Sequence, residues 1–245
     1  MGRSVPFRTG VLCSWIAATA LAPASAVAVT FDLDVSYTSD YILRGISESG
    51  SHSAGQIDLR ATTGDGTFVG VFATTLGRNW RVGWKSWGWD YKVEEYIGHQ
   101  FNLTPSWSAT VTAVNYSYLD GNLPLSDDYQ EISLAFSYLD RWTCTVAAIP
   151  NAVRYDGNYR EGRYPAYTAD NSVQLPLVGR LFALGGIGYY GSDSTGYGYG
   201  NAGLAFEYKD LRVEGGYYLA QSRAQRLFPY GRAGSRYAAT VLWHF

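Results

Sequence analysis

The segment "VSYTSDYILRGISES", residues 35–49, has the alternation of a β-strand together with charges that buried strands rarely carry. Apolar side chains such as Tyr37 and Tyr41 recur at every second position, the period expected when one face of a strand is buried. Asp40 and Arg44 lie on the opposite phase. The segment therefore predicts a wall with one apolar face and one face that accepts charge.

The same period of two runs through most of the chain. In residues 29–45 apolar odd positions alternate with polar even positions, and residues 87–102 repeat the pattern with Glu95 and His99 out of phase. About ten residues allow a tilted strand to cross a membrane. The pattern predicts an all-β, up-and-down antiparallel barrel of about twelve strands. The predicted strands are 27–45, 53–63, 67–77, 87–102, 106–119, 129–139, 142–151, 164–176, 180–191, 199–209, 211–221 and 236–245.

The predicted connections alternate between short and long. The short turns are 63–66, 103–106, 139–141, 176–179 and 209–210, and the long loops are 46–53, 77–86, 120–128, 151–163, 191–198 and 221–235. Outer-membrane barrels have short periplasmic turns and longer external loops, whereas a soluble sandwich has no reason to keep this rhythm. The connections therefore favour a transmembrane barrel.

The composition favours the same class. Charged residues are 16% of the chain, against roughly 25% in soluble domains, and aromatic residues are also 16%. The aromatic residues gather near predicted strand ends, as two interfacial girdles would require. The girdle beside the short turns would contain Phe68, Phe101, Trp107, Tyr138, Trp142, Tyr208 and Phe245. The girdle toward the long loops would contain Tyr41, Trp84, Trp87, Trp89, Tyr118, Tyr129, Tyr164, Tyr190, Tyr199 and Tyr217.

A closed barrel pairs every backbone polar group without leaving an edge, so it can place lipid on one face and water on the other. Tyr37, Tyr41 and Leu43 would then face lipid. The predicted pore-lining residues are Asp32, Asp34, Asp40, Arg44, Asp58, Arg60, Lys92, Glu94, Glu131, Arg212 and Glu214. About eight strands are filled by side chains and 16–18 leave an aqueous channel. A twelve-stranded barrel is therefore expected to have a narrow bore.

The N-terminus predicts a cleaved export signal over residues 1–26, which leaves residues 27–245 for the barrel. Arg3 and Arg8 precede a short apolar run that ends in a small-residue cleavage pattern. Cleavage would remove Cys13 and leave Cys144 alone, so no intramolecular disulfide is expected. The spacing of the other residues suggests no metal site and no cofactor.

The stretch "SDYILRGIS", residues 39–47, resembles the signature of the TorF family, proteobacterial outer-membrane proteins that are grouped as porins and have a poorly defined function. The family pattern usually continues with Gln, whereas this chain has Glu48. The terminal "VLWHF", with Trp243 and Phe245, resembles the end signal read by the outer-membrane assembly machinery. The resemblance implies an outer-membrane channel and offers no catalytic residues to carry over.

Three functions fit these features. A narrow passive channel for small polar or charged solutes is our prediction, because opposite charges on one wall can centre a polar solute. The same charges could instead pair and close the bore, as in a structural or adhesive barrel. An outer-membrane lipid hydrolase would need a Ser–His pair. The chain has only His52, His99 and His244, with Glu95 nearest to His99 in sequence, so we predict no enzyme.

Several predicted external loops are rich in arginine and lysine. The basic residues of the two loops that contain no acid are Arg78, Arg81, Lys85, Arg223, Arg226 and Arg232. A basic mouth could attract anions, but arginine forks are also well suited to lipid phosphates, and we favour the second interpretation. The predicted partners are therefore outer-membrane lipid, lipopolysaccharide, the barrel-assembly machinery and small solutes. The net charge of -2 and the lack of a basic face exclude nucleic acid.

Overall fold

The computed structural model describes residues 28–78, 89–119, 127–156, 159–193, 195–228 and 232–245. The predicted export signal, residues 1–26, lies outside these ranges. The elements are β1 (Val29–Thr38), β2 (Ile42–Leu43), β3 (Ile46–Ser47), β4 (Ala54–Thr63), β5 (Thr67–Arg78), β6 (Trp89–Thr104), β7 (Trp107–Leu119), β8 (Tyr129–Tyr138), β9 (Trp142–Asp156), β10 (Tyr159–Pro176), β11 (Leu181–Ser192), β12 (Gly196–Tyr208), β13 (Leu211–Ala220), α1 (Ala224–Leu227) and β14 (Arg236–His244).

Twelve of these strands form one closed antiparallel barrel. Strands β4 to β14 pair with their neighbours in chain order, and β1 closes the sheet by pairing with both β4 and β14. The short strands β2 and β3 pair only with each other. This architecture confirms the predicted fold class and strand count. No helix in the described ranges is long and apolar enough to span a membrane.

Each wall strand has one outward and one inward face, because successive side chains alternate sides. The register pairs polar residues of neighbouring strands on the inner face and apolar residues on the outer face. Asp32 pairs with Arg60 on the inner face, whereas Phe31, which is 71% exposed, pairs with Ala61 on the outer face. We call the end of the barrel at which β1 finishes the loop end, and the opposite end the turn end.

The predicted end of the first strand is wrong. Strand β1 stops at Thr38 and does not continue to residue 45. The Thr38 hydroxyl donates to the backbone carbonyl of Asp40 (2.9 Å), and the backbone N–H of Ser39 donates to the carbonyl of Ala239 on β14 (2.8 Å). These bonds turn the chain away from the wall. Residues 39–53, called the inserted segment below, leave the sheet before β4 begins.

Two of the predicted long loops are also wrong. Strands β9 and β10 remain paired as far as Asp156 and Tyr159, so most of the predicted loop 151–163 is strand. Strand β11 continues to Ser192 and β12 begins at Gly196, which shortens the predicted loop 191–198. The sequence at these places is polar and rich in tyrosine, which suggested loops. The backbones of the neighbouring strands nevertheless stay paired, so the sheet continues. Of the predicted loop 77–86, residues 79–86 lie outside the described ranges.

The aromatic residues near the turn end largely match the predicted girdle. The Trp107 ring lies 4.9 Å from that of Tyr138 and 6.0 Å from that of Trp142, and Phe101 and Tyr208 are exposed. Phe68 differs. Its ring lies beneath the guanidinium of Arg60, at 5.6 Å, on the inner face of the wall.

The predicted girdle at the loop end is wrong for half of its members. Five of these tyrosines face the interior, namely Tyr41, Tyr118, Tyr129, Tyr190 and Tyr199. Tyr217 does lie on the outer face, next to Tyr237 at 5.0 Å between ring centroids. Trp84 and Trp87 lie outside the described residues. The tyrosines at the loop end therefore line the bore as well as the membrane face.

Candidate functional site

The inserted segment folds into the interior of the barrel and is anchored there by Asp40. The Asp40 carboxylate accepts hydrogen bonds from the hydroxyls of Ser47 (2.5 Å) and Ser49 (2.8 Å) and an ion-pair contact from Arg236 on β14 (3.2 Å). Asp40 is buried, and both serines are almost completely so. A carboxylate buried in this way is held only because it is hydrogen-bonded and paired. Asp40 thus fixes the fold of the segment and its attachment to the wall.

A tight turn at Arg44 and Gly45 sends the segment back on itself. Arg44 has φ of 51° and Gly45 has φ of 75°, and β2 and β3 pair on either side of them. Positive φ at both central residues defines the type I′ hairpin turn. A Cβ added to Gly45 would stand 2.8 Å from the carbonyl oxygen of Leu219 and 2.8 Å from the Cβ of Tyr199. Only glycine lets the turn approach the wall this closely.

The segment reaches the opposite side of the barrel. Its anchor, Arg236, is on β14, and five strands separate β14 from β8 in either direction around the barrel. Arg44 nevertheless forms an ion pair with Glu131 on β8, with Nη2 and Oε2 2.5 Å apart. Burial works against the charge of Arg44, but the Glu131 carboxylate, Tyr129 and Tyr116 together outweigh it and raise the pKa of Arg44. The segment therefore crosses the whole bore between two ionic contacts.

Lys92 on β6 forms the centre of a third contact. Its side chain is 0% exposed, and Nζ lies 2.9 Å from Glu48 of the segment and 3.0 Å from Glu94 of its own strand. The Nζ also lies 5.2 Å from the Tyr41 ring and 4.9 Å from the Tyr116 ring, within the range of cation–π attraction. Glu48 thus supplies a carboxylate for a completely buried lysine.

Tyr41 links the segment to the same strand. Its hydroxyl donates to Glu94 (3.2 Å) and accepts from Lys92 (3.2 Å). Burial raises the pKa of Tyr41 well above its usual value, so the hydroxyl stays protonated and keeps its role as donor. The prediction that Tyr41 faces lipid is therefore wrong. The prediction that Asp40 and Arg44 lie on the inner face of a strand is also wrong, because both belong to the inserted segment.

Apolar contacts complete the closure at the loop end. Ile46 is buried against Tyr190 and Tyr197 of the wall and belongs to one cluster with Ala224 and Leu227 of α1. The backbones of Ser47 and Arg232 exchange two hydrogen bonds, of 3.0 and 3.1 Å, which join the segment to the connection before β14. The loop end of the interior is thus occupied by packed side chains.

The turn end of the interior is polar and open to water. Arg60 is 49% exposed there, in contrast to the completely buried Lys92, and lies 3.8 Å from Asp32. Asp34 contacts the His244 ring at 2.7 Å, and Asp58 accepts a hydrogen bond of 2.7 Å from Tyr96. A separate group joins β10, β12 and β13, in which Arg212 contacts Glu207, Glu214 and Gln174.

The predicted pore-lining residues therefore divide into two groups. Those at the turn end are partly solvated and paired within the wall, namely Asp32, Asp34, Asp58, Arg60, Arg212 and Glu214. Those at the loop end are buried and joined to the inserted segment, namely Asp40, Arg44, Lys92, Glu94 and Glu131. The two groups form an open chamber below an ionic closure.

His99 and Glu95, which are near each other in the sequence, both lie on the outer face of the wall. His99 lies on the outer face, where its Nδ1 contacts the hydroxyl of Thr67 (2.9 Å). Glu95 accepts a hydrogen bond from Asn115, which is also on the outer face, at 3.2 Å. Neither side chain enters the interior. Within the described ranges, no three His, Cys, Asp or Glu side chains come together in a way that could hold a metal ion.

The predicted basic loop residues are only partly described. Arg223 is the N-cap residue of α1, and Arg226 lies in the last turn of that helix. Arg232 pairs through its backbone with the inserted segment. Arg81 and Lys85 lie outside the described residues, as does the side chain of Arg78. At the chain end, Trp243 and Phe245 lie on the outer face, with ring centroids 6.3 Å apart.

The sequence reasoning missed Ile46, Glu48, Tyr116 and Arg236 as parts of the site. The strand period could not identify them, because Ile46 and Glu48 are not in a wall strand. One signal was present. Arg-Gly between Leu43 and Ile46 is the position at which a two-residue hairpin turn needs positive φ.

The paired strands define the class of closed twelve-stranded antiparallel β-barrels. The architecture is similar to that of the KdgM porin (TM-score 0.53, 10% identity, covering 87% of this chain and 99% of that one). It is also similar to that of the NanC porin (TM-score 0.51, 11% identity, covering 87% and 98%). At these identities the similarity concerns the fold.

The chain belongs to the Gcw_chp family, described as bacterial proteins of unknown function, whose model matches residues 21–236. No curated protein matches the chain.

Proposed function

We propose that the protein is an outer-membrane channel that passes small polar or charged solutes and that the inserted segment closes it. The observation that carries this proposal is the division of the interior. A solvated polar chamber at the turn end leads to a closure made by a connecting segment and not by the wall strands. Every contact of the closure is non-covalent, so the segment can leave without any change in the barrel.

Two features support the outer membrane as the location. The outer face carries a continuous apolar surface that includes Phe31, Ile187 and Tyr237, which are 71–81% exposed to solvent when lipid is absent. The motif at residues 39–47 resembles the TorF signature, and the porin fold of the two structural neighbours agrees with it. We further propose lipopolysaccharide and the assembly machinery as partners, the second through Trp243 and Phe245.

A structural barrel without transport is the second candidate. The buried ion pairs and the apolar cluster around Ile46 favour it, because together they fill the loop end. A lipid hydrolase has less support, because His99 and Glu95 face outward without a nucleophile that the sequence marks. The two remaining functions differ in one property, namely whether removal of the segment opens a path.

Conductance in planar bilayers tests this difference. The mature chain is compared with a variant in which a short glycine linker replaces residues 41–48. We expect larger and more frequent conductance steps from the linker variant, because the wall strands stay intact while Tyr41, Arg44 and Glu48 are removed. Both proteins must migrate differently on gels before and after boiling, which shows that the barrel has folded. A folded linker variant that conducts nothing would refute the channel and leave the structural barrel.

An engineered disulfide that holds the inserted segment in place, and that can be reduced again, supplies the control. Ser47 and Arg232 form a hydrogen-bonded antiparallel pair, whose Cα atoms lie about 5.5 Å apart, within the range that a disulfide can bridge. Ser47→Cys with Arg232→Cys, in a Cys144→Ser background, should suppress opening events when oxidised and restore them after reduction. Openings that persist in the oxidised form would show that the segment is not the gate.

A further inference from the structure

The guanidinium of Arg44 occupies a site whose other members all belong to the barrel wall. Glu131 supplies a carboxylate 2.5 Å from Nη2, and its side chain is only 8% exposed. Tyr129 lies two residues before Glu131 on the same face of β8 and stacks on Tyr116, with ring centroids 4.3 Å apart. A carboxylate beside aromatic faces is the environment that binds guanidinium and ammonium groups.

This site stays complete when the inserted segment leaves. Glu131, Tyr116 and Tyr129 are on β7 and β8, which remain paired through Tyr116 and Tyr129 themselves. Departure of Arg44 together with the segment exposes the Glu131 carboxylate to water and leaves it free to pair with another cation. The wall therefore presents a cation site that Arg44 fills from within the same chain.

The carboxylates of the segment leave wall cations at other places in the bore. Lys92 loses Glu48 when the segment leaves but keeps Glu94 on its own strand, at 3.0 Å. Arg236 on β14 loses Asp40 and keeps a neutral acceptor, the backbone carbonyl of Arg232, on the opposite side of the barrel from Glu131. On the side formed by β7 and β8, a cationic solute thus gains the carboxylate of Glu131.

The rest of the interior favours the same charge. Among the wall residues whose side chains the structure describes, eight inward-facing carboxylates stand against four Lys or Arg side chains. The acidic set is Asp32, Asp34, Asp58, Glu94, Glu131, Asp170, Glu207 and Glu214. The basic set is Arg60, Lys92, Arg212 and Arg236. A wall of this composition raises the local concentration of cations along the whole path.

We infer that the solutes of this barrel are small organic cations that carry a guanidinium group, and that they bind where Arg44 binds, displacing the inserted segment. This inference rests on the proposed channel function for transport. The binding itself depends only on Glu131 and the two tyrosines. Arg44 competes with the solute from within the chain. The apparent affinity for the solute is therefore its intrinsic affinity multiplied by the fraction of molecules in which Arg44 has left the site.

Agmatine tests the inference, because it carries a guanidinium group on a slender chain. Its control is carbamoylputrescine, in which a neutral urea of nearly the same shape replaces the guanidinium. Binding to the folded barrel in detergent is measured by calorimetry. We expect Arg44→Gln to bind agmatine at least about tenfold more tightly than the wild type, since the internal competitor is gone. Arg44→Lys keeps a competing cation and should behave like the wild type.

Two further variants identify the carboxylate that binds agmatine. Glu131→Gln, made together with Arg44→Gln, should abolish the gain in affinity. Glu95→Gln in the same background is the matched control, because Glu95 is a carboxylate on the outer face of neighbouring strand β6. Equal affinities for agmatine and carbamoylputrescine, or an unchanged affinity in the Glu131 variant, would overturn the inference.

Bilayer recordings separate the failure of this inference from the failure of the channel. The linker variant should prefer K⁺ to Cl⁻ in a salt gradient, and agmatine should reduce its current more than carbamoylputrescine does. A conducting barrel with no cation preference and no block would refute the solute class but leave the channel. A folded barrel that never conducts would refute the channel, whatever the calorimetry shows.

Discussion

Replacing Gly45 with alanine should open the barrel. The backbone at this residue has φ of 75°, and a non-glycine residue in that region costs roughly 1–2 kcal/mol. The new Cβ would also stand 2.8 Å from the carbonyl oxygen of Leu219 and from the Cβ of Tyr199. Both contacts belong to wall strands, which cannot move away without breaking their ladders. Such overpacking adds about 1–3 kcal/mol.

The cost of the wall contacts falls on the closed state alone, because the inserted segment meets the wall only there. A contact cost of about 2 kcal/mol should raise the ratio of open to closed molecules about 30-fold. The assay is the open probability in planar bilayers at fixed voltage, with boiled and unboiled samples compared on gels to show that the barrel has folded.

Two glycines provide controls for this variant. Gly50→Ala places a side chain at φ of 67° in the same segment, but only the His52 ring, at 3.8 Å, lies near the new Cβ, so its effect should be smaller by the cost of the wall contact. Gly55→Ala in β4 meets nothing within 4 Å and should not change the current. A Gly45→Ala protein that folds and gates like the wild type would refute the assignment of the inserted segment as the gate.

Three further outcomes are expected. Lys92→Met removes the cation between Glu48 and Glu94, which then keep only tyrosine hydroxyl donors and repel each other, so its open probability should exceed that of Glu48→Gln, in which the amide oxygen still accepts from Lys92. Arg212→Gln removes a cation from the turn-end chamber and should shift the reversal potential in a salt gradient toward cations without altering gel migration. Phe245→Ala should lower the yield of barrel assembled in cells, whereas refolding of the purified chain in detergent should proceed as in the wild type.

The wall could be predicted from the sequence because its physical cause is local. Lipid on one side and water on the other impose a period of two on every strand, and the closed barrel repeats that condition twelve times. Strand bounds such as Trp107–Leu119 therefore lie within about two residues of those expected from the pattern. The errors at 151–163 and 191–198 have a cause that is not local. The strands there stay paired with their neighbours although the composition suggested a loop.

The inserted segment could not be recognised in the same way. Its polar and apolar residues also alternate, as they do in a wall strand. In the segment, however, the alternating side chains lie in a hairpin inside a bore that is lined by charges. Asp40 and Arg44 keep the phase of β1 although neither belongs to a strand of the wall. Their partners, Arg236 and Glu131, are 196 and 87 residues away in the chain, and period reveals nothing about contacts at that distance. Only the Arg-Gly turn carried a local signal.

The polarity of the closure is itself an argument for a gate. A buried ion pair contributes little net stability compared with an apolar pair of similar size, because desolvation offsets the attraction between the charges. Removing one partner by mutation is costly, since the other stays buried alone. Withdrawal of the whole inserted segment differs, because water reaches Asp40, Arg44 and Glu48 together with the wall groups they leave. The apolar contribution to closure comes mainly from Ile46, worth roughly 1.5–3 kcal/mol of burial. The contacts that close the bore are therefore specific in geometry yet weak enough for the inserted segment to leave as a unit. A permanent structural filling would not require contacts that are weak in this way.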